Sequence, residues 1–430
     1  MVIGTGERIR WQSARALAAA LRSALATVAR VAPDRLLPPA HWPRAVGEHT
    51  VGARDLWLAD VEDGELSACC WYPAATTNAA PMRLLPADMA EALASSGMSL
   101  LPQPLLARIG STLCDARRDA PVAPGGPFPL VLLSHGLGGF VGQNTHLAEH
   151  LASRGYIVLA FAHPGGAAAW LQADGSVAAL PAQRREALSA GVAGYAAACR
   201  LRGAATLARR RDALARNAAL EPLASENRRW ARNICRVLDL LEGRAPSTAW
   251  LHSACDLSRV AAVGMSFGGS ASASAAQQDT RIGAAVNLDG AQYDARLLNR
   301  LSRVPLLVLH SGAARFADGG TYTDFHYEPH THAGHSGRVT RLLLPHAGHL
   351  SFTDLALFGS SALRRLAGTA GLDGARTLTL TAEVVCAFLE HALRGAEPLP
   401  SQRSRWPELE LADLTAVRAV ADDCTVSLQD

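Results

Sequence analysis

The chain contains no lysine. All 41 of its Lys-plus-Arg residues are arginine, and 38 acidic residues leave a formal net charge of only +3. An excess that small cannot neutralise a run of phosphates, which excludes a nucleic-acid partner. The missing lysine, beside abundant alanine, reflects a GC-rich coding sequence more than a binding requirement. No C-x-x-C pair is present either. The eight cysteines stand at 69, 70, 114, 199, 235, 255, 386 and 424, a spacing that fits neither a zinc site nor a dense disulfide scaffold. Cys69 and Cys70 are neighbours and cannot easily bridge one another, and several others lie in apolar segments where a thiol packs as a small hydrophobe. A reducing compartment, the cytoplasm, is the expected setting. No stretch reaches the roughly 18 apolar residues that cross a bilayer. Arginines at 15, 22 and 30 interrupt what would be the apolar part of a secretion signal.

What is present is strongly patterned. Leu17, Leu21, Leu25 and Val28 recur at helical spacing near the N-terminus, followed by the proline-rich "APDRLLPPAHWP". Residues 1–43 are therefore read as an amphipathic helix and linker. The helix packs on the main domain or, as a sharper alternative, makes peripheral contact with a membrane surface. "GELSACCWYPA" (64–74) reads as a strand running into a turn, and a Pro-rich stretch with short helical pieces follows to about Gly126. Then come "FPLVLLSHG" (128–136), "YIVLAFAHPG" (156–165), "RVAAVGMS" (259–266), "IGAAVNLDG" (282–290), "VPLLVLHSG" (304–312) and "RVTRLLLPH" (338–346). These apolar runs have the composition of buried strands, and the helical segments between several of them argue for a mostly parallel sheet covered on both faces. Residues 176–243 read as an inserted helical cap and the helix that connects it to the next strand. The main domain is thus 44–400, and 401–430 read as a C-terminal tail.

One serine stands out. "RVAAV" (259–263) runs into Gly264-Met265-Ser266-Phe267-Gly268-Gly269 and then "SASASAA", a strand, a sharp corner and a helix. Such a corner forces unfavourable backbone angles on Ser266 and leaves no room for a Cβ two residues before or after it. Gly264 and Gly268 occupy those places. A serine hydroxyl needs a base, usually histidine, oriented by a carboxylate. In open parallel sheets such groups gather at the carboxyl ends of the strands. Asp289 ends the strand after the serine strand, with Asp318 and Asp324 as rivals one strand later. His349 follows the last strand, with His346 as rival. Backbone donors for an oxyanion are expected from Phe267, after the nucleophile, and from Leu137 in "SHGLGG" (134–139). The order Ser266, Asp289, His349 is the one found in α/β-hydrolases.

With these residues in place, the chain resembles the platelet-activating-factor acetylhydrolases of the plasma and intracellular type II group and their bacterial relatives. The resemblance rests on "WYPA" (71–74), "FPLVLLSHGLGG" (128–139), "HLASRGYIVLAFAHPG" (150–165), "GMSFGG" (264–269), "LDG" (288–290) and "HLSFTD" (349–354). It implies an α/β-hydrolase fold. The family's H-x-x-F-x-D run begins on its catalytic histidine, which selects His349 over His346. Its acid follows the strand after the nucleophile strand, which supports Asp289, and its oxyanion donors match Leu137 and Phe267. Two features depart from the family: Gly-Met-Ser stands where it commonly has Gly-His-Ser, and the insertion at 176–243 differs from the animal enzymes. The expected activity is serine carboxylic-ester hydrolysis of short-chain acyl esters, of phospholipid or polyester type, with no cofactor and no metal. The alternatives are an acyltransferase or thioesterase using the same three residues, and a non-catalytic binding protein. A metal-binding protein is a further alternative, using His326, His330, His332 and His335 of "HYEPHTHAGH".

Overall fold

The computed structural model describes residues 23–27, 33–38, 40–61, 64–96, 99, 101–199, 220–294, 301–312, 338–366, 369 and 371–412. Its strands are β1 (Thr50–Val61), β2 (Gly64–Ala74), β3 (Pro81–Arg83), β4 (Leu113–Arg118), β5 (Phe128–Ser134), β6 (Ile157–Phe161), β7 (Ala169–Leu171), β8 (Val177–Ala179), β9 (Cys255–Met265), β10 (Ile282–Leu288), β11 (Leu306–Ser311), β12 (Val339–Leu344) and β13 (Glu410–Leu411). Among the described residues eleven of these form one sheet in the order β13-β12-β11-β10-β9-β5-β6-β2-β1-β4-β3. The block from β12 to β6 is parallel throughout. β2 joins it antiparallel to β6.

Every residue of β5 is buried, as a central strand covered on both faces requires. Alternation divides its side chains between two cores. Leu130 and Leu132, with Val260 and Ala262 of β9, face one; Val131 and Leu133, with Ala261 and Val263, face the other. The main helices are α1 (Ala87–Ser95), α2 (Gln103–Gly110), α3 (Thr145–Ser153), α4 (Ala182–Cys199), α5 (Glu221–Glu242), α6 (Phe267–Gln278) and α7 (Gly374–Arg394). α5 and α6 fill the first core, with Trp230, Ile234 and Leu238 from α5 and Ala271 and Ala275 from α6. α3 and α7 fill the second, with Leu147 and Leu151 against Leu380, Val384 and Leu389. α5 and α7 carry apolar stripes at i, i+3, i+4 spacing that decide the face each presents, whereas α3 and the small-residue start of α6 are buried all round.

Three features depart from the sequence-based expectation or refine it. Thr50–Val61, given no strand there, is a twelve-residue strand paired with β2 on one side and β4 on the other. Residues 401–412, expected in the tail, are packed on the domain. Trp406 and Leu409 are buried in the second core, and β13 pairs antiparallel with β12 through Leu342 and Leu343. The tail expectation is corrected to that extent; 413–430 lie outside the described residues. Of the N-terminal apolar positions, Leu25 lies in a described helical stretch and is buried among Leu37, Leu84, Leu105, Ile109, Phe358 and Leu363. Leu17, Leu21 and Val28 lie outside the described residues. Among the described residues no helix is long and apolar enough to cross a membrane.

Candidate active site

β9 ends at Met265 and α6 begins at Phe267, so a single residue turns the chain from strand to helix. That residue is Ser266, with φ +57° and ψ −118°. A positive φ on a residue with a Cβ costs on the order of 1–3 kcal/mol and persists only where the surroundings enforce it. Here the Ser266 N–H donates to Leu288 O at 2.7 Å, and Ser270 N–H donates to Ser266 O at 3.2 Å. The corner has no space for side chains beside it. A Cβ on Gly264 would lie 2.2 Å from the Gly268 carbonyl carbon, and one on Gly268 would lie 2.3 Å from His135 O.

The turn after β10 delivers Asp289, also at positive φ (+55°), with its N–H bonded to Leu309 O at 2.8 Å. Its carboxylate is 1% exposed. One oxygen accepts the Ser311 N–H at 2.7 Å; the other accepts the Ser311 hydroxyl at 2.7 Å and the His349 Nδ1–H at 2.7 Å. With the proton fixed on Nδ1, His349 presents Nε2 as an acceptor, and it lies 2.9 Å from Ser266 Oγ. The imidazole keeps 42% of its surface open, so a substrate can reach it. Burial disfavours the imidazolium, but the hydrogen bond to Asp289 and its charge outweigh that, and the pKa of His349 is raised. Ser266, Asp289 and His349 are therefore brought together in one hydrogen-bonded line. The rival His346 is exposed and is not part of that line. Asp318, Asp324 and the histidines at 326, 330, 332 and 335 lie outside the described residues.

His349 opens a short 3₁₀ turn, His349–Phe352, anchored by the buried Phe352 ring. Phe352 O accepts a hydrogen bond from the Asn144 side-chain amide. Two residues on, the Asp354 carboxylate accepts the N–H groups of Thr145 at 2.6 Å and His146 at 3.2 Å. These are orphan donors at the start of α3, where a carboxylate is well placed. The last residue of the H-x-x-F-x-D run thus staples the histidine loop to the helix that follows Leu137. Sequence reasoning assigns no task to Asp354 or to Ser311. Ser311 ends β11, and the strand-end rule applied to that strand finds it.

Phe267 directly follows Ser266 in the chain, and Leu137 belongs to the loop after β5. A Cβ on Gly136 would approach the Ser266 Cβ to 3.3 Å, so the loop after β5 lies against the serine. Within that loop Gly138 N–H donates to Gly166 O at 2.7 Å and Gly139 N–H to Gly136 O at 2.8 Å. Phe267 is the first residue of α6, so its N–H has no acceptor within the helix. The loop is held from beneath by His135, whose Nδ1–H donates to Gly136 O at 2.7 Å and whose Nε2 accepts the His163 N–H at 3.1 Å. Burial pushes the His135 pKa down to about 4, so it stays neutral and keeps both roles. Trp230 of α5 ties the parts together. It stacks on His163 at 4.0 Å and meets the rings of His135 and Phe267 edge-on, each at 4.9 Å. The described cysteines at 69, 70, 114, 235, 255 and 386 are free thiols. Burial holds them protonated, with Cys235, Cys255 and Cys386 pushed up to about 12.

The chain is similar in fold or in sequence to several known proteins. A ferulic acid esterase from Streptomyces cinnamoneus superposes with a TM-score of 0.63, covering 86% of this chain and 98% of its own, at 23% identity. At that identity the likeness establishes the α/β-hydrolase fold and not a substrate. A dienelactone hydrolase-like promiscuous phosphotriesterase from metagenomic libraries aligns over 80% of this chain and 99% of its own at 16% identity, with a TM-score of 0.42, too low to carry an argument. Platelet-activating factor acetylhydrolase of Gallus gallus is 27% identical over 129 residues, a match spanning 28% of this chain and 30% of that protein. Residues 38–397 match the model of platelet-activating factor acetylhydrolase, isoform II, and the chain belongs to that family.

Proposed function

We propose that the protein is a serine carboxylic-ester hydrolase acting on short-chain acyl esters of phospholipid or polyester type. The observation that carries the reading is the line from Ser266 Oγ through His349 to Asp289, with bonds of 2.9 and 2.7 Å, at a strained strand-to-helix corner. Ser266 Oγ attacks the ester carbonyl carbon while His349 Nε2 accepts its proton. The carbonyl oxygen becomes an oxyanion that accepts from the N–H groups of Leu137 and Phe267. Asp289 holds the imidazole in the productive orientation and stabilises the imidazolium. The tetrahedral intermediate collapses, the C–O bond to the alcohol breaks, and His349 returns the proton to the departing alkoxide. Water, deprotonated by the same imidazole, then attacks the acyl-serine ester and releases the acid. The described stretch 176–199 of the insertion contributes no residue to this line.

The test pairs a p-nitrophenyl ester series of rising acyl length with a phospholipid bearing a short sn-2 acyl chain. Short acyl groups should turn over fastest, and Ser266→Ala should lose roughly ten-thousandfold or more in kcat/KM. A serine-directed organophosphate should label Ser266 alone. An alanine variant that keeps full activity overturns the assignment.

A further inference from the structure

The segment between β6 and β7, residues 162–168, lies against the "SHGLGG" loop that carries Leu137. Two bonds join them: Gly138 N–H donates to Gly166 O at 2.7 Å, and Ala168 N–H donates to Gly139 O at 2.8 Å. Within the segment, the N–H groups of Gly166 and Ala167 both donate to His163 O, at 3.0 and 2.9 Å, so its shape is set locally. Its position is set from outside. His163 N–H donates to His135 Nε2 at 3.1 Å, and the successive carbonyls of Pro164 and Gly165 accept from two arginines.

Those arginines come from different helices. Arg229 of α5 donates to Pro164 O. Arg184, in the first turn of α4 and so in the insertion, donates from Nε to Gly165 O at 2.6 Å. Gly165 has φ +76°, and a Cβ on it would lie 2.7 Å from Arg184 Nε, so this approach needs a glycine. Both guanidinium groups are paired with one carboxylate, that of Glu226. Glu226 is 4% exposed and also accepts the Trp230 Nε1–H at 2.8 Å. The planar fork of Arg184 spans its two acceptors, with Nη2 on the carboxylate and Nε on the carbonyl, as a point-like ammonium could not.

We infer that Arg184 is a positioning residue: anchored on Glu226, it holds the Gly165–Gly166 turn to which the Leu137 loop is bonded. Gly165 O and Gly166 O are consecutive carbonyls, so fixing the first restricts the second, and the second is the acceptor of Gly138 N–H. Gly138 directly follows Leu137, the expected oxyanion donor, and the consequence for catalysis rests on the function proposed above. The insertion thereby acts on the chemistry although its described stretch places no residue on the line from Ser266 to Asp289. Arg185, the next residue of α4, makes the contrast. It donates to Ser96 O, just past the end of α1.

Arg184→Ala and Arg185→Ala, each in the full chain, separate this role from a general loosening of α4. The first readout needs no turnover. Hydrogen exchange followed by mass spectrometry should show residues 136–139 exchanging about tenfold faster in Arg184→Ala and unchanged in Arg185→Ala. The second readout is kinetics on a p-nitrophenyl ester that the wild type cleaves. In Arg184→Ala, kcat and kcat/KM should fall together by about tenfold with KM little changed, as loss of an alignment used in the transition state requires. Arg185→Ala should stay near wild type. Should Arg184→Ala not fold, Arg184→Gln takes its place in both readouts. Equal effects in the two variants, unchanged exchange at 136–139, or faster exchange with unchanged kcat each overturn the proposal. A wild type that cleaves no ester overturns the function proposed above instead, and the exchange readout still decides whether Arg184 holds the loop.

Discussion

Among the described residues, the two oxygens of Asp289 accept two hydrogen bonds from Ser311 and one from His349. That arrangement fixes a negative charge against Nδ1, and the charge sets the pH behaviour of the base. Asp289→Asn removes both influences that raise the His349 pKa and leaves the burial that lowers it. The variant should lose activity roughly ten-thousandfold. The acidic limb of its residual kcat/KM profile should move to lower pH, because the imidazole now becomes neutral at lower pH. Stability follows the same sign. A raised folded-state pKa contributes stability that is fully present below the unfolded value and lost as pH rises through the folded one. The melting-temperature gap between wild type and Asp289→Asn should therefore narrow as pH rises through that range. A limb that stays in place would show that Asp289 does not act on His349 through its charge. His349→Ala should likewise lose activity roughly ten-thousandfold or more, while His346→Ala, at an exposed position, should stay near wild type in the same assay. These residues differ in how much of them the sequence reveals. Ser266 is legible because its constraint is local, two glycines at fixed offsets. The choice of His349 over His346 is not local. It depends on Phe352 and Asp354 meeting Asn144, Thr145 and His146 across the fold. Ser311 and Asp354 act on partners far away in the chain, so spacing alone could not give them a task.

Helix α5 shows how an element outside the reaction can govern it. Its Trp230 contacts His163 and His135, from the loops after β6 and β5, and Phe267, the first residue of α6. The indole N–H donates to Glu226 at 2.8 Å, and Glu226 is also paired with Arg184 and Arg229. Trp230→Phe keeps a ring in place and removes one hydrogen bond from a carboxylate that retains two cations. It should cost about 1–2 kcal/mol of stability and change kcat/KM little. Trp230→Ala opens a cavity beneath Phe267 and the loops after β5 and β6. It should cost about 3–5 kcal/mol and lower kcat/KM by roughly ten- to a hundredfold, through misplacement of Phe267 and the loop of Leu137. Thermal unfolding and kinetics on one small ester check both; equal kinetics in the two variants would detach Trp230 from the site. The six apolar runs from 128 to 346 were legible as strands because buried parallel strands are apolar on both faces. β1 was not, since "TVGARDLWLADV" places Arg54 and Asp55 in mid-strand, and its pairing is decided by neighbours on two sides. β13 is two exposed residues, too short to leave a periodic signal.

At the scale of the whole molecule the question is what the N-terminal 43 residues contribute. Leu25 and Leu37 are 8% and 3% exposed, packed with Leu84, Leu105 and Ile109 and with Phe358 and Leu363, downstream of the histidine loop. Trp42 Nε1–H donates at 2.7 Å to Glu149 of α3, a fully buried carboxyl that burial pushes up to about 7 and that the indole helps to satisfy. An apolar side chain committed to this cluster is not available to lipid, which favours the packing role for the helix over the membrane one. Removing two buried leucines forfeits about 2 kcal/mol each, before the lost bond to Glu149 is counted. Deleting residues 1–43 should therefore lower the melting temperature by about 5–10 °C. Activity near the new transition should fall on a soluble p-nitrophenyl ester and on vesicle-borne phospholipid together. A membrane-surface helix gives the opposite pattern. The melting temperature would be kept, and only vesicle activity would fall, most with anionic lipid at low salt, because arginine attraction is screened within about 10 Å at 0.1 M. Differential scanning fluorimetry of the truncated protein, run beside both assays at two salt concentrations, separates the two roles. An unchanged melting temperature would overturn the packing role, whatever the vesicle assay reads.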